Sequence, residues 1–526
     1  MALLQDKSEE TNNNNERQSS KIRDSPIELA PEEFRTMGYK LVDEISDFLG
    51  SIRDRKVTPG ESPSDLRRML EARFRFPEKG EPAGQLMNET AGLVLDHSLF
   101  NGHPRFWGFI TSSAAPIGAL GDLLASAVNP NVGAWEISPI ASEIEFQTIR
   151  WLCEMVDYPS NAGGILVSGG NMANFVCVLV ARRIKSPWDV QALGVGRSEK
   201  GSTLRIYAST EAHNWIKKAA DLFGFGTDCI HWINVDKDLR MDSEELRRAI
   251  REDRDAGLLP FMVAGTAGTV STGAVDPLKK IADICKENDT WFHIDGSYGA
   301  FAAILPDSSE DLKAFKYADS LALDPHKWLY APLEAGCALV RKAEYLPMTF
   351  GHKGTYYHLS QHDESEVLPT NFYEISPQNS RSFRALKVWL ALRQVGKEGY
   401  VKMISDDIRL SREMFNHVRK NANLEAFTQS LSIATFRFVP QDLRSGGIEN
   451  RARVEEYLNN LNEKLLDKLQ TGGEIFLSNA LIEGKFLLRA CVVNFRTTSR
   501  DAESMVEVVV RVGKEMDEKL RPASLK

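Results

Sequence analysis

Two residues of this chain have types and spacing that point directly to chemistry: Asp295 and Lys327. The run Trp291-Phe292-His293-Ile294-Asp295 is apolar and ends on a carboxylate; the next, Asp319-Ser320-Leu321-Ala322-Leu323-Asp324-Pro325-His326-Lys327-Trp328, runs into a Pro, a His and one Lys. A lysine just past a buried strand is ordinarily a solvated loop residue, and the second run alone favours that reading. An Asp where one strand ends, followed some thirty residues later by a Lys after the next, instead suits a pyridoxal phosphate (PLP) site. There the lysine amine forms a Schiff base with the cofactor, and the carboxylate pairs with the pyridinium nitrogen so that the ring accepts electrons.

Such a site needs elements that bring distant residues to one edge. From residue 163 short apolar runs alternate with amphipathic helices. The strand candidates are Ile165 to Val167, Leu204 to Ala208, Ile230 to Val235, Phe261 to Thr266, Trp291 to Asp295, Ser320 to Leu323 and Cys337 to Arg341. One helix opens at Asp242, with Glu245 three residues on as a capping box. This alternation predicts an α/β fold with a mostly parallel central sheet covered by helices on both faces, and ligands in such sheets sit at the carboxyl ends of strands. The turn Ser168-Gly169-Gly170-Asn171 follows a strand and opens a helix from Met172 to Arg183, where free N–H groups and the helix dipole favour a phosphate. Most Gly-Gly pairs of this kind are only tight turns. His213 begins a helix after a strand; a lone His there is more often a cap than a catalytic group.

The motifs His293-Ile294-Asp295-Gly296-Ser297-Tyr298-Gly299, Asp324-Pro325-His326-Lys327-Trp328, Glu211-Ala212-His213 and Ser168-Gly169-Gly170 stand in the order found in group II amino-acid decarboxylases. From about residue 30 to about residue 515 the chain resembles that family, and it is most like the aromatic-L-amino-acid decarboxylases. The resemblance implies the fold-type-I PLP-dependent transferase fold, PLP as cofactor, and a homodimer whose N-terminal helices wrap over the neighbouring subunit. It makes Lys327 the Schiff-base lysine, Asp295 the pyridinium partner and His213 the imidazole stacked on the ring. Gly170, Asn171, Thr266 and His326 become cofactor contacts. Ser297 stands where the family usually has Ala beneath the ring, and its hydroxyl either fills space or touches a cofactor oxygen. Counting forward from Lys327 places the family's proton-donating loop tyrosine at Tyr356, with Tyr357 beside it as the alternative. Phe109, Thr111 and Trp135 are candidate substrate contacts by the same analogy, and equally ordinary core residues. Arg489 either binds a carboxylate or flanks a strand; the structural reading is favoured.

The rest of the chain sets bounds. Its 526 residues carry a net charge of -9, which offers no footprint for nucleic acid or an anionic membrane and points to a small-molecule partner, an amino acid. Six scattered cysteines show no C-x-x-C pair and no metal-ligand spacing. No apolar stretch is long enough to span a bilayer. Residues 1–26 read as a disordered tail of a cytoplasmic protein, 27–110 as an N-terminal helical dimerisation segment, 111–400 as a large PLP-binding domain and 401–526 as a small C-terminal α+β domain. Within the second segment Phe34, Met37, Leu41, Ile45 and Phe48 recur at helical steps. The long polar stretch Gly351 to Pro369 is of a length that is usually functional or disordered. A helix is expected from Ser382 to Val395, and strands over Ile433 to Phe438 and Phe486 to Phe495. The expected activity is decarboxylation of an L-amino acid, aromatic (Trp, Tyr, Phe or Dopa) first, to the amine and carbon dioxide. The alternatives are a decarboxylase of glutamate or another non-aromatic amino acid, and an aromatic aldehyde synthase releasing peroxide and ammonia. Asn131 and Gly133 replace larger apolar residues of the aromatic branch, which implies a wider or more polar pocket.

Overall fold

The computed structural model describes residues 25–71, 75–196, 200, 203–352, 370–445 and 451–525. Among these, the apolar runs form a seven-stranded sheet: β1 (Gly163–Val167), β2 (Leu204–Ser209), β3 (Ile230–Ile233), β4 (Leu259–Thr266), β5 (Trp291–Asp295), β6 (Ser320–Leu323) and β7 (Gly336–Val340), in the order β1-β7-β6-β5-β4-β2-β3. The pairs from β6 through β3 are parallel, whereas β7 runs antiparallel to both its neighbours. Thr266 lies opposite Asp295, and Asp295 opposite Ala322, so three carboxyl ends finish at one level. The largely parallel sheet of the fold-type-I class is thus present, with one reversed strand.

The strands read as unbroken apolar runs because both faces are covered. Helices between them bury their apolar stripes, and Tyr207, Phe261, Trp291 and Phe292 are almost wholly buried in the resulting core. Each such side chain stabilises the fold by about 1.5–3 kcal/mol. The helix Ser243–Asp255 starts where Asp242 accepts hydrogen bonds from the Glu244 and Glu245 amides; the Glu245 carboxylate accepts from the Asn234 side chain.

A fully buried ion pair fixes the end of β1. Arg381 donates to Glu145 Oε1 at 2.5 Å and to the Leu166 carbonyl at 2.8 Å, and the Leu166 amide donates to the same Glu145 oxygen at 3.0 Å. Removing either partner would leave a buried charge unpaired, at a cost of about 3–5 kcal/mol. The pair thus anchors the strand that delivers the Ser168-Gly169-Gly170 turn.

The helix expected to end at Val395 does break there: Gly396 has non-helical backbone (φ 65°, ψ 173°), and a second helix runs on from it to Lys420. Beyond it, β8 (Leu424–Ser430), β9 (Ile433–Phe438), β10 (Ser478–Ile482) and β11 (Lys485–Cys491) form an antiparallel sheet in the order β10-β11-β9-β8. Its second apolar core is filled by Leu461, Leu465, Phe436, Leu488 and Val509. A separate compact unit, residues 25–54 and 62–98, contains helices α1 (Pro31–Ser51), α2 (Pro63–Glu71) and α3 (Ala83–His97), α1 packing against α3. None of the α1 residues is buried.

Candidate active site

Lys327 follows β6 on a short helical turn, Pro325–Trp328, whose first residue is Pro. Proline suits that position because its missing N–H is one of the unpaired donors of a helix start. Asp295 ends β5, and Thr266 ends β4. All three open on one cavity of about 590 Å³, which Gly170, Asn171, His213, Ser297 and His326 also line.

The glycine turn lies against this cavity. Gly169 has φ +133°, a conformation that side chains rarely adopt, and it precedes the helix Gly170–Lys185. A Cβ on Gly170 would stand 2.6 Å from Asp324 Oδ2 and 2.7 Å from Ser297 Oγ. A hydrogen is therefore all that fits there, and the helix start, Gly170 and Asn171, opens on the cavity.

Asp295 is held from several sides. The Trp215 indole N–H donates to its Oδ2 at 2.7 Å, while the Ser297 hydroxyl and amide donate to Oδ1 at 2.6 and 3.1 Å. Burial alone would raise its pKa; the Ser297 hydrogen bonds and the nearby Lys327 charge outweigh it and hold the carboxyl below its ordinary range. It is therefore an ionised carboxylate whose Oδ2 takes one donor from the described residues and retains room for a second. That is the acceptor a protonated pyridine requires.

His213 Nδ1 accepts the Trp215 amide at 3.2 Å, so the neutral ring carries its hydrogen on Nε2. Burial pushes its pKa below 6.5, against the pull of Asp295 and with that of Lys327. His326 is displaced in the same direction, chiefly by burial, and its Nδ1 lies 2.7 Å from the Ala335 carbonyl.

Three residues at this site were not singled out from sequence. Asp324, only 1% exposed, places Oδ2 3.0 Å from Lys327 Nζ; its Oδ1 lacks a hydrogen-bond partner among the described residues. Trp215 joins His213 to Asp295. Asn174, one helical turn beyond the glycines, accepts a hydrogen bond through Oδ1 from His293 Nε2 at 2.7 Å, and the other ring nitrogen meets Ser320. Asp324 stood inside a quoted motif, Trp215 lies two residues past His213 and Asn174 three past Asn171; those positions were the only signal.

The candidate substrate contacts are elsewhere. Ile110 lines the cavity, but its neighbours Phe109 and Thr111 do not, and the Phe109 side chain is 56% exposed. Trp135 lines a separate, broader cavity with Phe146, Trp151 and Trp389, its indole donating to Glu143. Tyr356 and Tyr357 lie outside the described residues. Arg489 is 1% exposed and donates to the Phe109 carbonyl at 3.2 Å, within β11. A Cβ on Gly133 would strike the Asn379 carbonyl oxygen at 2.2 Å, and Asn131 Oδ1 accepts the Gly133 and Arg381 amides. Both are tied into backbone packing, and neither lines this cavity.

The chain's residues 63–439 match the model of the pyridoxal-dependent decarboxylase conserved domain. An aromatic-L-amino-acid decarboxylase of Bacillus atrophaeus is 34% identical over 488 residues, covering 92% of this chain and 96% of that protein. A phenylacetaldehyde synthase of a Rosa hybrid cultivar is 28% identical over 473 residues, 88% and 90% of the two chains. The crystal structure of Oryza sativa TDC with PLP and tryptamine superposes with a TM-score of 0.84 at 28% identity, covering 94% of this chain and 100% of that one.

Proposed function

The chain belongs to the pyridoxal-dependent decarboxylase family, and we propose from that premise that it converts an aromatic L-amino acid to the amine and carbon dioxide. The observation that carries the reading is the convergence of Lys327, Asp295 and the glycine turn on one cavity. PLP, when bound, supplies the electron sink for the pair released as carbon dioxide leaves.

The residues present fit that cofactor. Lys327 supplies the amine that holds it covalently. Asp295 offers an ionised oxygen for the ring nitrogen; Gly170 and Asn171 form a helix start suited to a phosphate, and Thr266 and His326 line the same cavity. His213 contributes a flat, neutral imidazole carrying a hydrogen on Nε2. Ile110, Phe175, Val270 and Leu333 add an apolar wall, which suits an aromatic side chain better than a second carboxylate. Tyr356, or Tyr357, is the proposed proton donor to the substrate Cα. Phe109, Thr111 and Trp135 are proposed to serve the neighbouring subunit of a homodimer, since none of the three lines its own chain's cavity. The six cysteines are all buried free thiols, which supports a reducing, cytoplasmic setting.

Having both His213 and a tyrosine in the 351–369 stretch favours plain decarboxylation over aldehyde formation. The test supplies PLP-loaded protein with L-Trp, L-Tyr, L-Phe, L-Dopa and L-Glu, and scores amine, aldehyde and peroxide together. Amine from an aromatic substrate without stoichiometric peroxide is expected. Aldehyde with matching peroxide and ammonia would instead make the chain a synthase, and amine from glutamate alone would move it to the acidic branch.

A further inference from the structure

Asp295 receives more hydrogen bonds than its placement at a strand end demands. Three donors from two side chains and one amide converge on it: Trp215 Nε1 at 2.7 Å, Ser297 Oγ at 2.6 Å and Ser297 N at 3.1 Å. Neither side chain has another donor obligation. The indole has a single N–H, and the serine hydroxyl has a single hydrogen, which is committed to Oδ1. Both residues are buried, Trp215 at 1% exposure and Ser297 at 6%. Trp215 is further fixed by an edge-on contact with the His293 ring, 5.6 Å between centroids, and by its amide bond to His213 Nδ1.

We propose that Ser297 and Trp215 are positioning residues that set the basicity of Asp295, keeping the proton it shares with the cofactor on the ring nitrogen. The inference rests on the reading of Asp295 as the partner of that nitrogen. Each donor withdraws negative charge from the carboxylate and makes it a weaker base; hydrogen bonds to the charged form always favour that form. In an N–H···O bond to a weaker base the proton stays on nitrogen, and the protonated ring is the better electron acceptor. Both donors also leave Oδ2 one acceptor direction, so they aim the carboxylate as well as weaken it. An alanine at position 297 would supply only the amide. This chain therefore has one hydroxyl bond more at the carboxylate than its relatives with alanine would have, and spends the Ser297 hydrogen there instead of on the cofactor.

The experiment uses the PLP-loaded protein with 15N at the pyridine nitrogen and reads the nitrogen resonance in wild type, Ser297→Ala, Trp215→Phe, the double variant and Asp295→Asn. Trp215→Phe keeps an aromatic ring against His293 and removes only the N–H. The expected result is a stepwise movement from the pyridinium position towards that of neutral pyridine, each single variant displaced, the double further, and Asp295→Asn furthest. In parallel, kcat falls about tenfold in either single variant while KM stays within about twofold, the pattern of a change felt in the transition state and not in substrate binding. If Asp295→Asn moves the resonance but neither single variant does, Ser297 and Trp215 are packing residues and the inference is overturned. If Asp295→Asn also leaves it unmoved, the reading of Asp295 itself fails.

Discussion

At Gly170 the site tolerates no side chain at all, since the carboxylate of Asp324 and the hydroxyl of Ser297 already stand within 2.7 Å of where a Cβ would be. Gly170→Ala is therefore expected to lower PLP affinity at least tenfold while the protein stays folded, measured by titrating cofactor into stripped protein and following fluorescence quenching. Unchanged affinity would show that the turn does not border the cofactor. The residues that strand-end pattern (Lys327, Asp295) and family resemblance (Thr266, Gly170, Asn171) singled out line one cavity because backbone topology carries strand ends and the glycine turn there. Trp215, Asn174 and Asp324 were not legible in that way. Trp215 meets Asp295 across 80 residues and Asn174 meets His293 across 119, and no local pattern encodes which indole or amide faces which partner. Ser297 was visible as a departure from the family, but the direction of its hydroxyl was not.

At the scale of elements, the turn carrying Lys327 is held by the helix that runs from Gly396 to Lys420. Asp407 on that helix accepts the Trp328 indole N–H at 2.8 Å and also the Tyr330 hydroxyl, so one carboxylate grips two residues just after the lysine. Burial pushes its pKa up to about 7, which the two hydrogen bonds only partly oppose. Unfolded, the same group titrates near 3.9. Between these values the folded protein holds a proton that the unfolded chain has released, so Asp407 detracts increasingly from stability as pH rises from about 4 to about 7. Asp407→Asn, which cannot ionise, is expected to gain in melting temperature relative to wild type across that interval, read by calorimetry at several pH values. A difference that is constant with pH would contradict the assignment. Most strands were legible as apolar runs, but the reversal of β7 was not. Strand direction depends on the connection from β6, which is the lysine-bearing turn and not a crossover helix. β8 and β10 escaped notice because Leu424–Ser430 is mostly polar and Ser478–Ile482 opens on Ser-Asn and buries only alternate residues.

At the scale of the whole molecule, the helix Pro116–Val128 carries Leu120, Leu123, Leu124 and Val128 at helical spacing, each more than half exposed, and Ile137 and Ile140 follow at 61% and 71%. A stripe of this kind is out of place on a solvated surface. It supports the proposed homodimer, as do the exposed Phe34 and Tyr39 of α1. The double substitution Leu123→Glu with Leu124→Glu is expected to give a monomer by sedimentation equilibrium where wild type sediments at twice the chain mass; a wild-type monomer would remove the proposal. The central claim, that this cavity is where the cofactor is covalently held opposite Asp295, has a more direct test. The loaded protein is treated with borohydride, digested, and the peptide carrying the reduced phosphopyridoxyl mass is sequenced. The account predicts that the modification falls on Lys327 and disappears in Lys327→Ala, whereas a label on any other lysine, or none, would contradict it.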